Sequence, residues 1–312
     1  SHEEKGAAKI LAGYHQYFAV RKAVERTLKA TSGDGKIGVF WHTQGSGKSL
    51  SMVFYAHMIQ EVLSQPTIVV ITDRNDLDDQ LYTQFSKCKD FLRQTPVQAQ
   101  NKEHLQELLR NREANGIIFT TMQKFQESDE PLSERKNIVV MTDEAHRGQY
   151  GFEEKVSEDG RISIGMARII HNSLPNASFI GFTGTPISAK DKDTQEVFGE
   201  YIDIYDMTQA VADGATCAVF YESRVINLNL DEETLKKLDD EYELLAEEGA
   251  SDAQIEASKK EMAHMEGILG APATIESLCL DILKHYEENR QHELTGKAMI
   301  VAYSRPIAMK IY

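Results

Sequence analysis

The sequence predicts an α/β fold in which a central, mostly parallel sheet is flanked by helices. Three observations carry that expectation. Residues 67–72, 116–120 and 137–142 are, after the leading Gly116 and Asn137 of the last two, unbroken apolar and β-branched runs, the pattern of strands covered on both faces. These runs alternate with segments whose apolar residues recur at helical spacing, and such alternation implies parallel strands joined by crossover helices. The apolar run 37–41 leads through a tight glycine turn, His42-Thr43-Gln44-Gly45-Ser46-Gly47-Lys48-Ser49, into helical residues 50–63. In open sheets of this kind ligands sit beyond the carboxyl ends of the strands, so the residues just after each run are the candidates for function.

In chain order, residues 9–30 place Ile10, Tyr14, Tyr17, Phe18, Val20, Val24 and Leu28 at helical spacing and end before Thr31-Ser32-Gly33-Asp34-Gly35. After the glycine turn and its helix come the strand 67–72 and a turn into helix at 73–80. A short strand at 94–99, a helix at 101–112 and the strand 116–120 come next. Strand 137–142 delivers Asp143-Glu144-Ala145-His146, residues 148–163 read as a Gly-rich charged loop, and strand 177–182 ends in Thr183-Gly184-Thr185-Pro186. Residues 190–215 read as short helix and turn, and 217–230 as one or two strands leaving the first domain. Two charged amphipathic helices at 231–248 and 252–267, a helix at 271–289 and a strand at 297–303 complete the chain.

The chain has 312 residues, ample for a buried core, and 34 basic against 49 acidic residues give a formal charge of −15. That field repels nucleic acid, so a DNA contact would need a local patch; much of the negative charge is concentrated in 231–248. Cys88, Cys217 and Cys279 are widely spaced and lack metal-ligand spacing, which reads as free thiols in a reducing compartment. With no apolar run of membrane-spanning length and no apolar signal core in 1–10, the expectation is a cytoplasmic protein without a membrane partner.

The glycine turn carries the chemistry. Gly45 and Gly47 permit a backbone whose N–H groups, Ser46 included, close round phosphate oxygens at the positive end of the next helix. Lys48 would reach the β and γ phosphates and Ser49 would offer its hydroxyl to Mg²⁺. His42 stands where the generic phosphate loop has glycine, so the pattern is a variant. Asp143, coming after a buried strand downstream of this loop, would hold Mg²⁺ through water, and Glu144 would polarise the attacking water as general base. Upstream, the Gln16 amide has the donor and acceptor needed to read an adenine edge; a solvated helix glutamine is the alternative. The ligand is therefore expected to be ATP with Mg²⁺.

The ordered set of motifs resembles the motor (restriction, R) subunit of type I restriction-modification enzymes, a branch of the superfamily 2 helicase-like translocases. Residues 14–18 resemble its glutamine-containing adenine motif, 42–49 its motif I, 72–80 motif Ia, and 120–125 the next DNA-facing motif. Asp143-Glu144-Ala145-His146-Arg147 with Gln149-Tyr150-Gly151 resembles motif II, 182–186 motif III, and 301–305 motif IV. The stretch 198–216 is more particular to R subunits than to helicases at large, and His42 is a residue these subunits tend to carry.

The resemblance implies a first RecA-like P-loop lobe at 1–218. Residues 219–312 would then be inter-lobe helices and the incomplete beginning of a second RecA-like lobe. It further implies that His146, Thr183 and Thr185 couple nucleotide state to DNA, that Arg74, Thr121 and Lys124 contact DNA, and that an arginine finger comes from the second lobe. Expected partners are duplex DNA and the methyltransferase and specificity subunits of a bacterial or archaeal restriction complex. Nuclease and assembly regions are expected outside these residues. Another superfamily 2 DNA or RNA helicase, or a nucleotide-binding assembly module with 231–267 as a docking surface, are the alternatives; intact Lys48, Asp143 and Glu144 argue against the latter.

Overall fold

A computed structural model of the chain describes residues 9–72, 75–110, 112, 114–125, 130–145, 154–156, 162–164, 166–185, 192–221, 223, 267, 269–289 and 298–312. The chain divides into two compact units, Ser1–Val219 and Phe220–Tyr312.

The first unit is built on seven strands: β1 (Lys36–His42), β2 (Thr67–Thr72), β3 (Val97–Gln98), β4 (Ile117–Thr121), β5 (Ile138–Thr142), β8 (Ser178–Thr183) and β9 (Tyr201–Tyr205). They lie in the order β3-β4-β2-β5-β8-β1-β9, and every adjacent pair is parallel. Every residue of β2, β4, β5 and β8 is buried, as the apolar and β-branched runs of the first three require. Successive side chains go to opposite faces: Ile68 and Val70 join one core, Val69 and Ile71 the other. The first core is closed by α1 (Tyr14–Ala30), α2 (Lys48–Val62) and α3 (Asn75–Lys87), with Leu92 of the short α4 (Lys89–Leu92). The second is closed by α5 (Lys102–Arg110), α6 (Met166–Ser173) and α7 (Lys192–Phe198). Tyr55 on α2 is fully buried and its hydroxyl lies 2.6 Å from Thr27 Oγ1, tying α2 to α1.

The structure departs from the sequence expectations in several places. Helix α1 begins at Tyr14, not at residue 9, with the Gly13 N–H donating to Gln16 Oε1 at 2.9 Å. The expected loop at 148–163 carries an antiparallel pair, β6 (Glu154–Val156) and β7 (Ile162–Ile164), registered Lys155 to Ser163. Residues 201–205 are not helix or turn but β9, an edge strand on β1, which precedes the short α8 (Met207–Ala212). Its mixed burial and its charged Asp203 hide it from pattern reading, because an edge strand is covered less completely than a central one.

In the second unit, α9 (Pro272–Asn289) falls on the expected helix, and α10 (Arg305–Ile311) is capped by Ser304, whose Oγ accepts from the Ile307 N–H at 3.4 Å. Lys310 Nζ donates to Gly270 O at 2.7 Å. The strand expected at 297–303 does not form at 298–303, and Met299 and Val301 are exposed. A parallel strand takes its hydrogen bonds from a neighbour, and the described residues of this unit supply none. Residues 217–221 and 223 are irregular rather than strand; the rest of 217–230 and the expected helices 231–248 and 252–267 lie outside the described residues, apart from Gly267. Among the described residues no helix is long and apolar enough to cross a membrane, and Cys88, Cys217 and Cys279 are unbridged.

Candidate functional site

The phosphate loop joins the carboxyl end of β1 to α2. Gly45 (φ 85°) and Gly47 (φ 84°) occupy the left-handed region, and a Cβ on Gly47 would stand 2.8 Å from Gln16 Nε2. The buried Ser46 turns inward: its Oγ donates to Thr43 O at 2.6 Å and its N–H approaches the same oxygen at 3.3 Å. Ser46 thus shapes the loop from within. The Ser49 side chain, in the first turn of α2, is exposed.

His42 has a structural reason to be histidine. Its ring is fully buried, packs on Phe40 at a centroid distance of 4.2 Å, and places Nε2 3.2 Å from Asp203 Oδ1 on β9. Asp203 Oδ2 in turn holds Lys22 Nζ of α1 at 2.5 Å. Burial pushes the His42 pKa below its usual value despite the opposing pull of Asp203. For Asp203 burial works upward, but the hydrogen bonds from His42 and Lys22 outweigh it and hold the carboxyl below the usual range. His42 therefore ties the start of the loop to the sheet edge and to α1, a tie that glycine could not make.

The acidic wall comes from β5. The Asp143 N–H donates to Ile71 O at 2.9 Å and the Ala145 N–H to Phe182 O at 3.0 Å, so the turn is pinned from both neighbouring strands. Between these pins Glu144 takes φ 52°, a costly conformation for a residue with a Cβ, and one that occurs at functional turns. Glu144 Oε1 lies 3.5 Å from Lys48 Nζ. The third wall comes after β8: a Cβ on Gly184 would stand 2.8 Å from Lys48 Nζ and 3.4 Å from the Gln44 nitrogen. Flanking it, the Thr185 N–H donates to Thr183 Oγ1 at 3.2 Å, and that hydroxyl lies 3.1 Å from Thr185 O. Three adjacent strands, β5, β8 and β1, thus bring acid, spacer and ammonium together at their carboxyl ends, with Asp143 beside them.

This donor set fits Mg²⁺. The ion takes one or two protein oxygens and completes its shell with water and phosphate; an exposed serine hydroxyl and one carboxylate match that demand. Among the described residues no group of three His, Cys, Asp or Glu gathers as an all-protein metal cage would require.

Gln16 is 5% exposed, its Nε2 donates to Gly47 O at 2.9 Å and its Oε1 accepts from Gly13. One amide hydrogen and one oxygen lone pair remain for a base edge, so loop support and adenine reading are compatible. Two of the positions expected to contact DNA already have partners or cover within the lobe. Thr121 is 3% exposed at the end of β4, and Lys124 Nζ is drawn to Ala99 O at 2.6 Å. The sheet covers the first side chain, and a strand-end carbonyl takes one of the three donors of the second. Arg74 and His146 lie outside the described residues.

Sequence reasoning missed Gly184 as the spacer against Lys48, and it missed His15, Asp203, Tyr205 and Asp213, which surround the loop. The one signal for Asp203, Tyr205 and Asp213 was that 198–216 is a family-particular stretch.

The sequence profile of the SWI2/SNF2 ATPase family matches residues 15–256. The HindI endonuclease subunit of a Haemophilus influenzae type I restriction enzyme is 48% identical over 97% of this chain. A Methanocaldococcus jannaschii protein designated the MjaIXP endonuclease subunit of a type I restriction enzyme is 37% identical over 100% of it. The chain spans 29% of the length of each of these two relatives. A solved structure of a nuclease-deletion mutant of the Type ISP restriction-modification enzyme LlaGI, in complex with a DNA substrate mimic, aligns at a TM-score of 0.43 and 14% identity. That alignment covers 92% of this chain and 30% of the other. With its P-loop, its acidic turn and a profile match across most of its length, the chain belongs to the SWI2/SNF2 ATPase family, and its relatives are endonuclease subunits of type I restriction enzymes.

Proposed function

We propose that this chain is the ATP-hydrolysing lobe of a DNA translocase, the motor part of the restriction subunit of a type I restriction enzyme. The observation that carries the reading is the convergence of Lys48 and Glu144 to 3.5 Å across a spacer glycine at three adjacent strand ends. Phosphoryl transfer needs positioning and neutralised charge more than covalent chemistry from the protein, and these residues supply both. Lys48 and the loop amides bind the phosphates. Glu144 orients water and takes its proton. Ser49 and Asp143 would hold Mg²⁺, which when bound neutralises phosphate charge. Gln16 reads adenine with its remaining donor and acceptor, and Thr183 and Thr185, adjoining the spacer, pass nucleotide state onward together with His146.

In the parent protein each hydrolysis would advance duplex DNA toward cleavage by a nuclease domain outside these residues. Methyltransferase and specificity subunits would supply site recognition, in the cytoplasm of a bacterium or archaeon. The 48% identity to a type I endonuclease subunit supports this choice over other superfamily 2 helicases.

The test is a pair of variants. Lys48→Ala removes the P-loop cation, a charge-assisted interaction of about 1.5–3 kcal/mol, so ATP·Mg affinity should fall roughly 10- to 150-fold. Glu144→Gln should bind ATP·Mg as the wild type does and, in the parent protein, abolish DNA-stimulated phosphate release. Equal loss of binding in both variants would show that Glu144 is a ligand-holding residue and not the base.

A further inference from the structure

The first turn of α1 lies against the phosphate loop and grips two of its carbonyls. His15 Nε2 is 3.0 Å from Ser46 O, and Gln16 Nε2 donates to Gly47 O at 2.9 Å. Ser46 O can only accept, so Nε2 carries the proton of this imidazole. In a planar trans peptide the carbonyl and the next N–H point in opposite directions. Drawing Ser46 O toward α1 therefore turns the Gly47 N–H away from it, and drawing Gly47 O turns the Lys48 N–H the same way. Those amides are the donors by which a glycine-rich loop holds phosphate. With φ near +85° at both glycines, the loop's conformation is inexpensive but not self-enforcing, since glycine adopts many others. The loop's own bonds, from Ser46 to Thr43 O and from the Leu50 and Ser51 N–H groups to Gly47 O, fix part of it, and the grip from α1 adds the external restraint.

His15 is itself held. Its ring stacks face to face on Tyr205, centroids 4.2 Å apart and planes 4° from parallel. The Tyr205 hydroxyl donates to Asp213 Oδ2 at 2.8 Å, and Gln209 Nε2 donates to Oδ1 at 2.9 Å. The Tyr14 hydroxyl also donates to Oδ2, and its hydrogen bond, with that of Tyr205 second, keeps the carboxyl ionised below the usual range. The turn after α8 touches the loop directly as well: a Cβ on Gly45 would stand 3.2 Å from Thr216 Cγ2.

We propose that His15 is a positioning residue for the phosphate loop, and that Tyr205 and Asp213 form the arm that fixes its ring. The affinity of the site for polyphosphate is then set in part by an edge strand and a turn that carry no catalytic group. The inference rests on the reading of this loop as an ATP site and assigns the stretch 198–216 a role in it.

The test uses the whole 312-residue chain with His15→Leu, His15→Gln and Tyr205→Leu. Glutamine places its amide nitrogen near the position of Nε2 and keeps the donor; leucine fills the space without one. Binding of ATP·Mg is measured by calorimetry, binding of Mg·tripolyphosphate and of adenosine by competition, and folding by thermal melting. His15→Leu should weaken ATP·Mg and tripolyphosphate each by about tenfold, ~1.4 kcal/mol, with adenosine unchanged. His15→Gln should recover to within about threefold of wild type, and Tyr205→Leu should reproduce the loss. Tyr205→Phe keeps the stack and releases only Asp213, so it serves if the leucine variant of Tyr205 melts early; about a twofold to threefold loss is expected. Unchanged tripolyphosphate affinity in His15→Leu, an equal loss for adenosine, or no recovery in His15→Gln overturns the inference alone. Wild-type protein that binds no ATP·Mg overturns the ATP reading and this inference with it.

Discussion

Gly184→Ala adds one methyl group where the third wall of the site meets Lys48. The Gly184 backbone is outside the left-handed region, so alanine is accommodated without backbone strain. The new Cβ would lie 2.8 Å from Lys48 Nζ, closer than atoms approach, while its 3.4 Å distance to the Gln44 nitrogen is an ordinary contact. The ammonium, at the end of a flexible chain, is what moves, from 2.8 Å to at least 3.4 Å. A shift of that size away from a phosphate oxygen forfeits about 1 kcal/mol at an effective dielectric of about 20, or roughly fivefold in Kd. Stability moves the other way, because replacing glycine in a compatible conformation reduces unfolded-chain entropy and contributes ~0.4–1 kcal/mol. Titration with ATP·Mg at low ionic strength, paired with thermal melting, separates the two effects. Weakened binding at an equal or higher Tm supports the geometry. Undiminished affinity, or a Tm lowered by several degrees, would refute the placement of Gly184 against the ammonium.

Two further predictions concern stability. His42 and His171 are both held below their ordinary pKa by burial, so the unfolded chain binds more protons than the folded one just below that value. Their stabilisation is complete above about pH 6.5 and is lost as pH falls from there toward the native pKa values; Asp203, depressed in the fold, adds a second loss at lower pH. Urea unfolding at about pH 8 and about pH 5 should show this slope, and His42→Gln, which keeps a donor for Asp203, should flatten it; an unchanged slope would place the titration elsewhere. Tyr55→Phe removes a buried hydroxyl that donates to Thr27 Oγ1, since that oxygen already donates to Ala23 O at 2.7 Å. Thr27 keeps that partner, so chemical denaturation should show a loss of only about 0.5–1.5 kcal/mol, and a loss above about 3 kcal/mol would mean that the ring had repacked.

The sequence by itself determined the parallel core and singled out the residues to which the proposed chemistry is assigned. Three strands whose residues are all apolar or β-branched, and a fourth that departs only at Ser178 and Gly181, have no face to give to water, so their burial on both sides, and the crossovers that burial requires, come from composition alone. Gly45, Gly47, Lys48, Asp143 and Glu144 could be proposed from the sequence for a similar reason: a phosphate loop and an acidic turn call for those residue types at strand ends. What only the tertiary structure decided are contacts between residues far apart in the chain. Asp203 lies 161 positions from His42, and no local pattern marks the pair; only the alignment of β9 on β1 brings them within 3.2 Å. Gly184 reads as an ordinary turn glycine until the order β5-β8-β1 sets it against Lys48. Nothing local to Lys124 marks Ala99 O as its partner; the pairing of β3 and β4 places that oxygen within its reach. Periodicity reports which face of an element is covered, but the partner that covers it is chosen by sheet order and register, which are properties of the assembled chain.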